Sequence, residues 1–177
     1  MSEKLSILLD GTAVARALSR IAHEVLERNH GVDALVLVGI RSRGVQLAQR
    51  IARKLAELTG REVPVGSIDI TPYRDDVEQP LERIEGTSAD VPLPINDRVI
   101  VVVDDVLATG RTIRVVLDVL SGLGRPRAIQ AAVLIDRSER EVPIRADYVG
   151  QNVLAGERRH VRVRVRELDG ADEVALQ

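Results

Sequence analysis

The chain has 177 residues, 45% of them apolar, with 25 Lys and Arg against 27 Asp and Glu and a formal net charge of −2. It is long enough for one domain with a sizeable core and too apolar for a disordered chain, and it has no global positive field that draws it to nucleic acid or membrane. Cys, Phe and Trp are absent and there are only two Tyr, which excludes disulfides, thiolate metal sites and the aromatic stacking platform of many single-strand RNA binders, so any RNA site must be a local patch.

Residues 12–30 read as an amphipathic helix with Val14, Ala17, Leu18, Ile21 and Val25 on its buried stripe, Asp10 or Thr12 as cap and Gly31 beyond its end. Arg16, Arg20 and His23 lie on another face at helical spacing, where a solvated surface is the plain explanation. Ala34 to Ile40 form a buried strand that runs into the basic loop Arg41-Ser42-Arg43-Gly44, followed by a helix with Leu47, Ile51, Leu55 and Leu58. Val63 to Ile70 form a further strand. From Thr71 to Asp97 the chain turns polar and carries Pro72, Pro80, Pro92 and Pro94; a loop of this length in a compact domain is usually a lid or disordered.

The stretch Arg98 to Thr112, RVIVVVDDVLATGRT, concentrates the chemistry. Val99 to Val103 is an unbroken apolar run that suits a strand buried on both faces. Asp104 and Asp105 follow it, then the small loop Thr109-Gly110-Arg111-Thr112, then a helical pattern with Ile113, Val116, Leu117 and Leu120. Ligands of open parallel sheets bind beyond the carboxyl ends of the strands, and a helix N-terminus there offers unpaired N–H groups and a positive dipole to a phosphate. Thr109 and Thr112 add hydroxyls and Gly110 permits close backbone approach. The adjacent carboxylates suit ribose hydroxyls or a magnesium ion held by oxygen ligands. No G-x-x-x-x-G-K-[ST] occurs, which argues against a P-loop NTPase.

Ala128 to Ile135 form another apolar strand. The charged segment from Asp136 to Gly150 is too irregular for a helix. Val161 to Val165 alternates Val with Arg and puts His160, Arg162, Arg164 and Arg166 on one face, as a basic edge strand that resists aggregation would. Asp169-Gly170 signals a hairpin back to Val174-Ala175-Leu176. The N-terminus carries no signal-peptide pattern and no apolar run approaches about eighteen residues, so a cytoplasmic protein is the expectation.

VVVDDVLATGRT resembles the phosphoribosyl-diphosphate (PRPP) binding motif of type I phosphoribosyltransferases. The resemblance implies an α/β fold with a mostly parallel central sheet flanked by helices, a small hood and a flexible loop. The single domain would span residues 1–177, with the flexible loop at about 71–97 and the hood at about 136–160. It also implies that Asp104, Asp105, Val106, Leu107, Ala108, Thr109, Gly110, Arg111 and Thr112 bind PRPP. Ser42, Arg43 and Gly44 would meet the diphosphate leaving group, with Asp104, Asp105 and Arg43 as the catalytic residues. A loop opened by Tyr73, Arg74, Asp75 and Asp76 would close over PRPP and exclude water. Asp136, Arg137 and Ile144 fall in the base-binding hood.

Further segments, SRIAHEVLERN, LVGIRSRG, IDITPYRDD, GRPRAIQAAVLIDR and IRADYVGQN, are similar to the pyrimidine operon attenuation regulator (PyrR) family, over roughly residues 7 to 176. That similarity implies formation of UMP from uracil and PRPP with magnesium (Mg2+), the two motif carboxylates being its ligands directly or through water. It implies binding of a stem-loop in pyrimidine leader mRNA tuned by UMP or UTP, and a homo-oligomer, a dimer or tetramer. Ser19, Arg20, Arg28, Ser42, Arg140 and Arg145 match or nearly match the family's RNA-contacting positions. The chain departs from the family at Ala108, usually Tyr, at Ser138-Glu139, usually Gly-His, at Gln151, usually Lys, and at Leu154-Ala155-Gly156, usually Pro-Thr-Ser. Three alternatives stand beside the bifunctional reading: a non-catalytic nucleotide-sensing RNA binder, a phosphoribosyltransferase that has lost RNA regulation, and a purine phosphoribosyltransferase.

Overall fold

The computed structural model describes residues 6–71, 88–154 and 159–177. Its elements in chain order are β1 (Ser6–Leu9), α1 (Gly11–Arg28), β2 (Leu35–Ile40), α2 (Arg43–Thr59), β3 (Val65–Asp69), β4 (Ser88–Asp90), β5 (Val99–Leu107), α3 (Arg111–Leu123), β6 (Ala128–Asp136), β7 (Tyr148–Asn152), β8 (Val161–Arg164), α4 (Arg166–Asp169) and β9 (Glu173–Leu176). Six strands form one sheet in the order β4-β3-β2-β5-β6-β7. All of its pairings are parallel except β3 with β4.

The continuous apolar runs are explained by helices on both faces of this sheet. Successive side chains of a strand point to opposite faces. Leu35, Leu37, Val99, Val101 and Val103 therefore join one core with the buried stripes of α1 and α2. Val36, Val38, Ile40, Ile100 and Val102 join the other, against Ile113, Val116 and Leu120 of α3. Helix α1 starts where Asp10 accepts the Ala13 N–H at 2.8 Å, and α2 ends at Gly60 with φ 71°. No helix among the described residues is long and apolar enough to cross a membrane.

A second, antiparallel sheet has the order β1-β9-β8. Its Val163, Val174 and Leu176 close the α1–α2 side of the core. The expected hairpin at Asp169-Gly170 is present as a pairing of β8 with β9, but the connection contains the single turn α4, ended by Gly170 at φ 77°.

Several boundaries differ from the sequence reading. Strand β5 continues past Val103 to Leu107 because β6 keeps pairing with it, so Asp104 and Asp105 lie inside the strand, with Asp104 opposite Val133. Ser88–Asp90, expected in the long loop, pairs with β3. Tyr148–Asn152, expected in the hood, is the edge strand of the large sheet: Tyr148 is buried, and Val149 pairs with Val133. Tyr73, Arg74, Asp75 and Asp76 lie outside the described residues.

Candidate active site

β2 and β5 are neighbours with Gly39 opposite Val103, so the loop after β2 and the carboxylates of β5 emerge at one sheet edge. Helix α2 begins at once after that loop because Gly44 has no side chain; a Cβ there would overlap the Val103 carbonyl. Above this edge lies a cavity of about 730 Å³, walled by Arg41, Ser42, Arg43, Asp104, Asp105, Val106, Thr112 and Arg137 from the large domain layer and by His160 to Val163 and Gln177 from the small sheet. Two carboxylates face four arginines and a histidine. Arg43 and Arg137 are already paired with Asp169 and Glu139, so the guanidinium groups of Arg41 and Arg162 are the donors this cavity offers to an anion.

Asp104 is 8% exposed and accepts the Asp105 N–H at 2.8 Å, while Asp105 accepts the Val106 N–H at 2.9 Å. Both carboxylates are thus oriented by their own backbone. Arg43, the candidate diphosphate ligand, does not stand alone. It grips Asp169 through Nη2 at 2.9 Å and Nε at 3.1 Å. The hydrogen bond to Asp169 raises the Arg43 pKa, with attraction to Asp105 a smaller cause, and the same hydrogen bond holds Asp169 below the usual carboxylate range. Arg41 is exposed at the same lip. Asp69 nearby is held below its ordinary pKa by the Thr71 hydroxyl and N–H, with the charge of Arg41 a lesser cause.

The loop Ala108 to Gly110 enters α3 at Gly110, whose φ of 91° is left-handed and whose Cβ position is 2.8 Å from Val142 Cγ2. The Arg111 N–H bonds Thr109 Oγ1 at 3.2 Å, and the first turn of α3 contains no acid. Of the expected PRPP residues, Asp104, Asp105, Val106 and Thr112 line the cavity; Leu107 instead points into the α3-side core at 2% exposure. Ser42 and Arg43 line the cavity, whereas Gly44 sits beneath it.

In the expected hood, Arg137 lines the cavity, and its Nη2 bonds Glu139 and the Arg159 carbonyl. Asp136 is buried and serves the turn that follows it, accepting Ser138 N–H at 2.7 Å. Ile144 packs on the α3-side core rather than on the cavity. The sequence reading missed Arg41, Thr71, His160, Arg162 and Gln177 as cavity residues. The Val–Arg alternation did place His160 and Arg162 on one face, but that pattern is the same for an edge strand and a cavity wall.

The candidate RNA residues separate into two groups. Arg20 donates to the Val149 and Gly150 carbonyls and pairs with Glu24; Arg28 pairs with Asp147 and lies 5.7 Å from the Tyr148 ring centroid. These two mark the seam between α1 and β7; Ser19, whose carbonyl contacts His23, lies on the opposite side of the helix from Arg28. Arg145 is exposed. Arg140 is turned inward and bonds Ala108, Asp136 and Ile144.

A family model described as phosphoribosyl transferase domain matches residues 4–166. The chain is 54% identical over 171 residues to a bifunctional protein PyrR of Chloroflexus aurantiacus, covering 96% of this chain and 93% of the relative. It is 51% identical over 172 residues to the bifunctional protein PyrR of Limosilactobacillus fermentum, covering 96% of each. Among solved structures it resembles the hypoxanthine phosphoribosyltransferase of Trypanosoma cruzi, with a TM-score of 0.74 at 19% identity over 97% of this chain and 95% of the other.

Proposed function

The chain belongs to the bifunctional PyrR family and carries its phosphoribosyl transferase domain, and on that premise we propose that it regulates pyrimidine genes and converts uracil and PRPP to UMP and diphosphate. The observation that carries the catalytic half is the pair Asp104 and Asp105 at the cavity floor, between a cationic lip and the start of α3.

The 5′-phosphate of PRPP occupies the loop Thr109 to Thr112, where backbone N–H groups and hydroxyls suit an anion. The ribose hydroxyls face Asp104 and Asp105. Diphosphate lies toward Ser42, Arg43 and Arg41, and uracil lies beside Arg137 under the small sheet. In the reaction the C1′–diphosphate bond breaks, the uracil N1–C1′ bond forms, and the N1 proton leaves. Positive charge grows on the ribose as the leaving group departs; the two fixed carboxylates stabilise it, and the arginines offset the charge of diphosphate. No residue need act as a covalent nucleophile.

Asp104 and Asp105 are the donors that fit magnesium, since a hard ion that keeps several waters takes one or two carboxylates plus substrate oxygens. No cluster of three or more His, Cys, Asp or Glu suited to a metal exists among the described residues. Magnesium would neutralise part of the diphosphate charge.

The regulatory half rests on Ser19, Arg20, Arg28 and Arg145, of which Arg20 and Arg28 are paired with Glu24 and Asp147 and Arg145 is exposed. It would bind pyrimidine leader mRNA in a UMP- or UTP-dependent way, in the cytoplasm, as a dimer or tetramer. The structural likeness to hypoxanthine enzymes, at 19% identity, speaks to the fold and not to a purine substrate.

The deciding assay offers uracil, hypoxanthine and orotate separately with PRPP and magnesium. Uracil alone should be converted. Conversion of hypoxanthine in preference, or of none of the three, overturns the catalytic reading.

A further inference from the structure

Asp169 ends the single turn α4 between β8 and β9 and is not part of the cavity wall. All of its polar groups are engaged. Its N–H donates to the Val165 carbonyl at 2.7 Å, and its carbonyl accepts from Arg164 Nη2 at 3.0 Å. Oδ2 accepts the Val165 N–H at 2.8 Å and Arg43 Nε at 3.1 Å, and Oδ1 accepts Arg43 Nη2 at 2.9 Å. Val165 is fully buried in the core that the small sheet shares with α1 and α2. The carboxylate therefore takes its place from that core and not from solvent. Arg50 braces the same turn from α2, with Nε on Glu167 at 2.9 Å and Nη2 on Asp172 at 2.7 Å.

Arg43 is the first residue of α2, and its backbone is set where Gly44 packs on the Val103 carbonyl. A guanidinium is planar and carries five N–H donors, and Asp169 takes the two on the Nε–Nη2 edge. Clamping one edge of a rigid group also sets its opposite, Nη1 edge. Arg43 lines the cavity and Asp169 does not, so the edge turned to the ligand is the one Asp169 leaves. Arg41 and Arg162 bring whole positive charges to this cavity. Arg43 paired with Asp169 brings no net charge, so what the pair adds is direction.

On the transferase reading above, we propose that Asp169 is a positioning residue for the reaction: anchored on the core of the small sheet, it holds one edge of the Arg43 guanidinium so that the other edge meets the departing diphosphate. Negative charge gathers on the diphosphate oxygens as the C1′ bond breaks, and donors already aligned stabilise it without reorganising. Without Asp169 the arginine regains its full charge and loses its alignment. Attraction for bound PRPP is kept, and stabilisation of the transition state is lost, so the effect falls on kcat and not on KM.

The test compares wild type with Asp169→Asn, Asp169→Glu, Arg43→Gln and the double variant Arg43→Gln/Asp169→Asn. Asp169→Asn should lower kcat, and the single-turnover rate with it, by about tenfold while the KM for PRPP stays within about threefold. Asp169→Glu, which moves the carboxylate by one methylene, should recover part of the rate. In the Arg43→Gln background Asp169→Asn should cost less than about twofold, because Asp169 acts through Arg43. In nitrogen-15 spectra of the arginine side chains, magnesium diphosphate should shift the Arg43 Nη signals and leave its Nε signal in place. The proposal is overturned by a wild-type rate in folded Asp169→Asn, by an equal cost of Asp169→Asn with and without Arg43, or by diphosphate that displaces Asp169 and so moves the Nε signal. If Asp169→Asn does not fold, Asp169→Glu decides by the same readouts. Absence of uracil transfer by wild type would sink the transferase reading by itself; the spectra with magnesium diphosphate still judge the clasp.

Discussion

Arg43 and Asp169 meet through two parallel hydrogen bonds, 2.9 and 3.1 Å long, that join the first residue of α2 to the last residue of α4. Two helical turns along α2, Arg50 grips Glu167 at 2.5 and 2.9 Å and Asp172 at 2.7 Å. The lip proposed to hold diphosphate and the connection between β8 and β9 are thus fastened together by two arginines on one helix face. Bidentate pairs of this kind carry orientation as well as attraction. A diphosphate that engages Arg43 must share the guanidinium with Asp169, so the position of α4 and β8 is tied to the leaving-group site.

This clasp predicts an acid-sensitive fold. The hydrogen bonds from Arg43 and Arg50 lower the pKa values of Asp169 and Glu167 respectively. A carboxylate depressed in the folded state binds fewer protons there than in the unfolded chain. Its contribution is fully present above the ordinary carboxylate range and is lost as pH falls through the depressed value. Thermal melts from pH 7 down to about pH 3 should fall less steeply for Asp169→Asn than for wild type below about pH 4. Parallel curves would mean that the clasp does not contribute.

Asp105→Asn keeps the shape of the side chain and removes its charge. Turnover with uracil and PRPP should fall by more than about tenfold, equivalent to about 1.4 kcal/mol of barrier. Wild-type turnover in a folded Asp105→Asn protein would remove this carboxylate from the reaction.

Gly110→Val places a branched side chain at φ 91° and against Val142. Backbone strain of this kind costs on the order of 1–3 kcal/mol, and relief requires the loop to move. PRPP affinity by calorimetry should drop by about tenfold or more, with the far-ultraviolet circular dichroism spectrum retained. Unchanged affinity in the folded variant would place the phosphate cradle elsewhere.

Tyr148 is one corner of a buried polar network. Its hydroxyl donates to Gln130 Oε1 at 2.7 Å and accepts from Asn29 Nδ2 at 3.2 Å, while Asn29 and Gln130 bond each other at 3.0 Å. Burial raises the phenol pKa, so the donor stays protonated. Tyr148→Phe should destabilise the fold by about 1 kcal/mol in urea titration, because Asn29 and Gln130 remain paired to each other. A loss of several kcal/mol would show that the network collapses as a unit.

Arg145 is exposed and offers its charge to solvent. Arg145→Gln should weaken leader-RNA binding and reduce the salt slope by about one, as for one lost phosphate contact. An unchanged slope would remove Arg145 from the RNA surface.

The parts legible in the sequence are those whose physics is local. A run of Val99 to Val103, two acids and Thr109-Gly110 before a helical stripe are neighbours along the chain, so their order already sets strand, floor and loop. The stripe of α1 and Leu47, Ile51 and Leu55 of α2 were readable for the same reason, whereas Leu58 is exposed and the structure chooses Asp10 over Thr12 as the cap. Amphipathic periodicity reports which side of an element meets a core without saying which core.

What the tertiary structure alone decided are the long-range choices. Tyr148–Asn152 enters the large sheet because β6 offers an edge that its pattern does not name. Arg43 finds Asp169 from 126 residues away, and Arg140 reaches back 32 residues to Ala108. In sequence, Arg140 and Arg145 are the same kind of residue in the same charged segment. An arginine has one charge and five donors wherever it stands, and only the packing of the chain determines whether those donors meet water or backbone carbonyls.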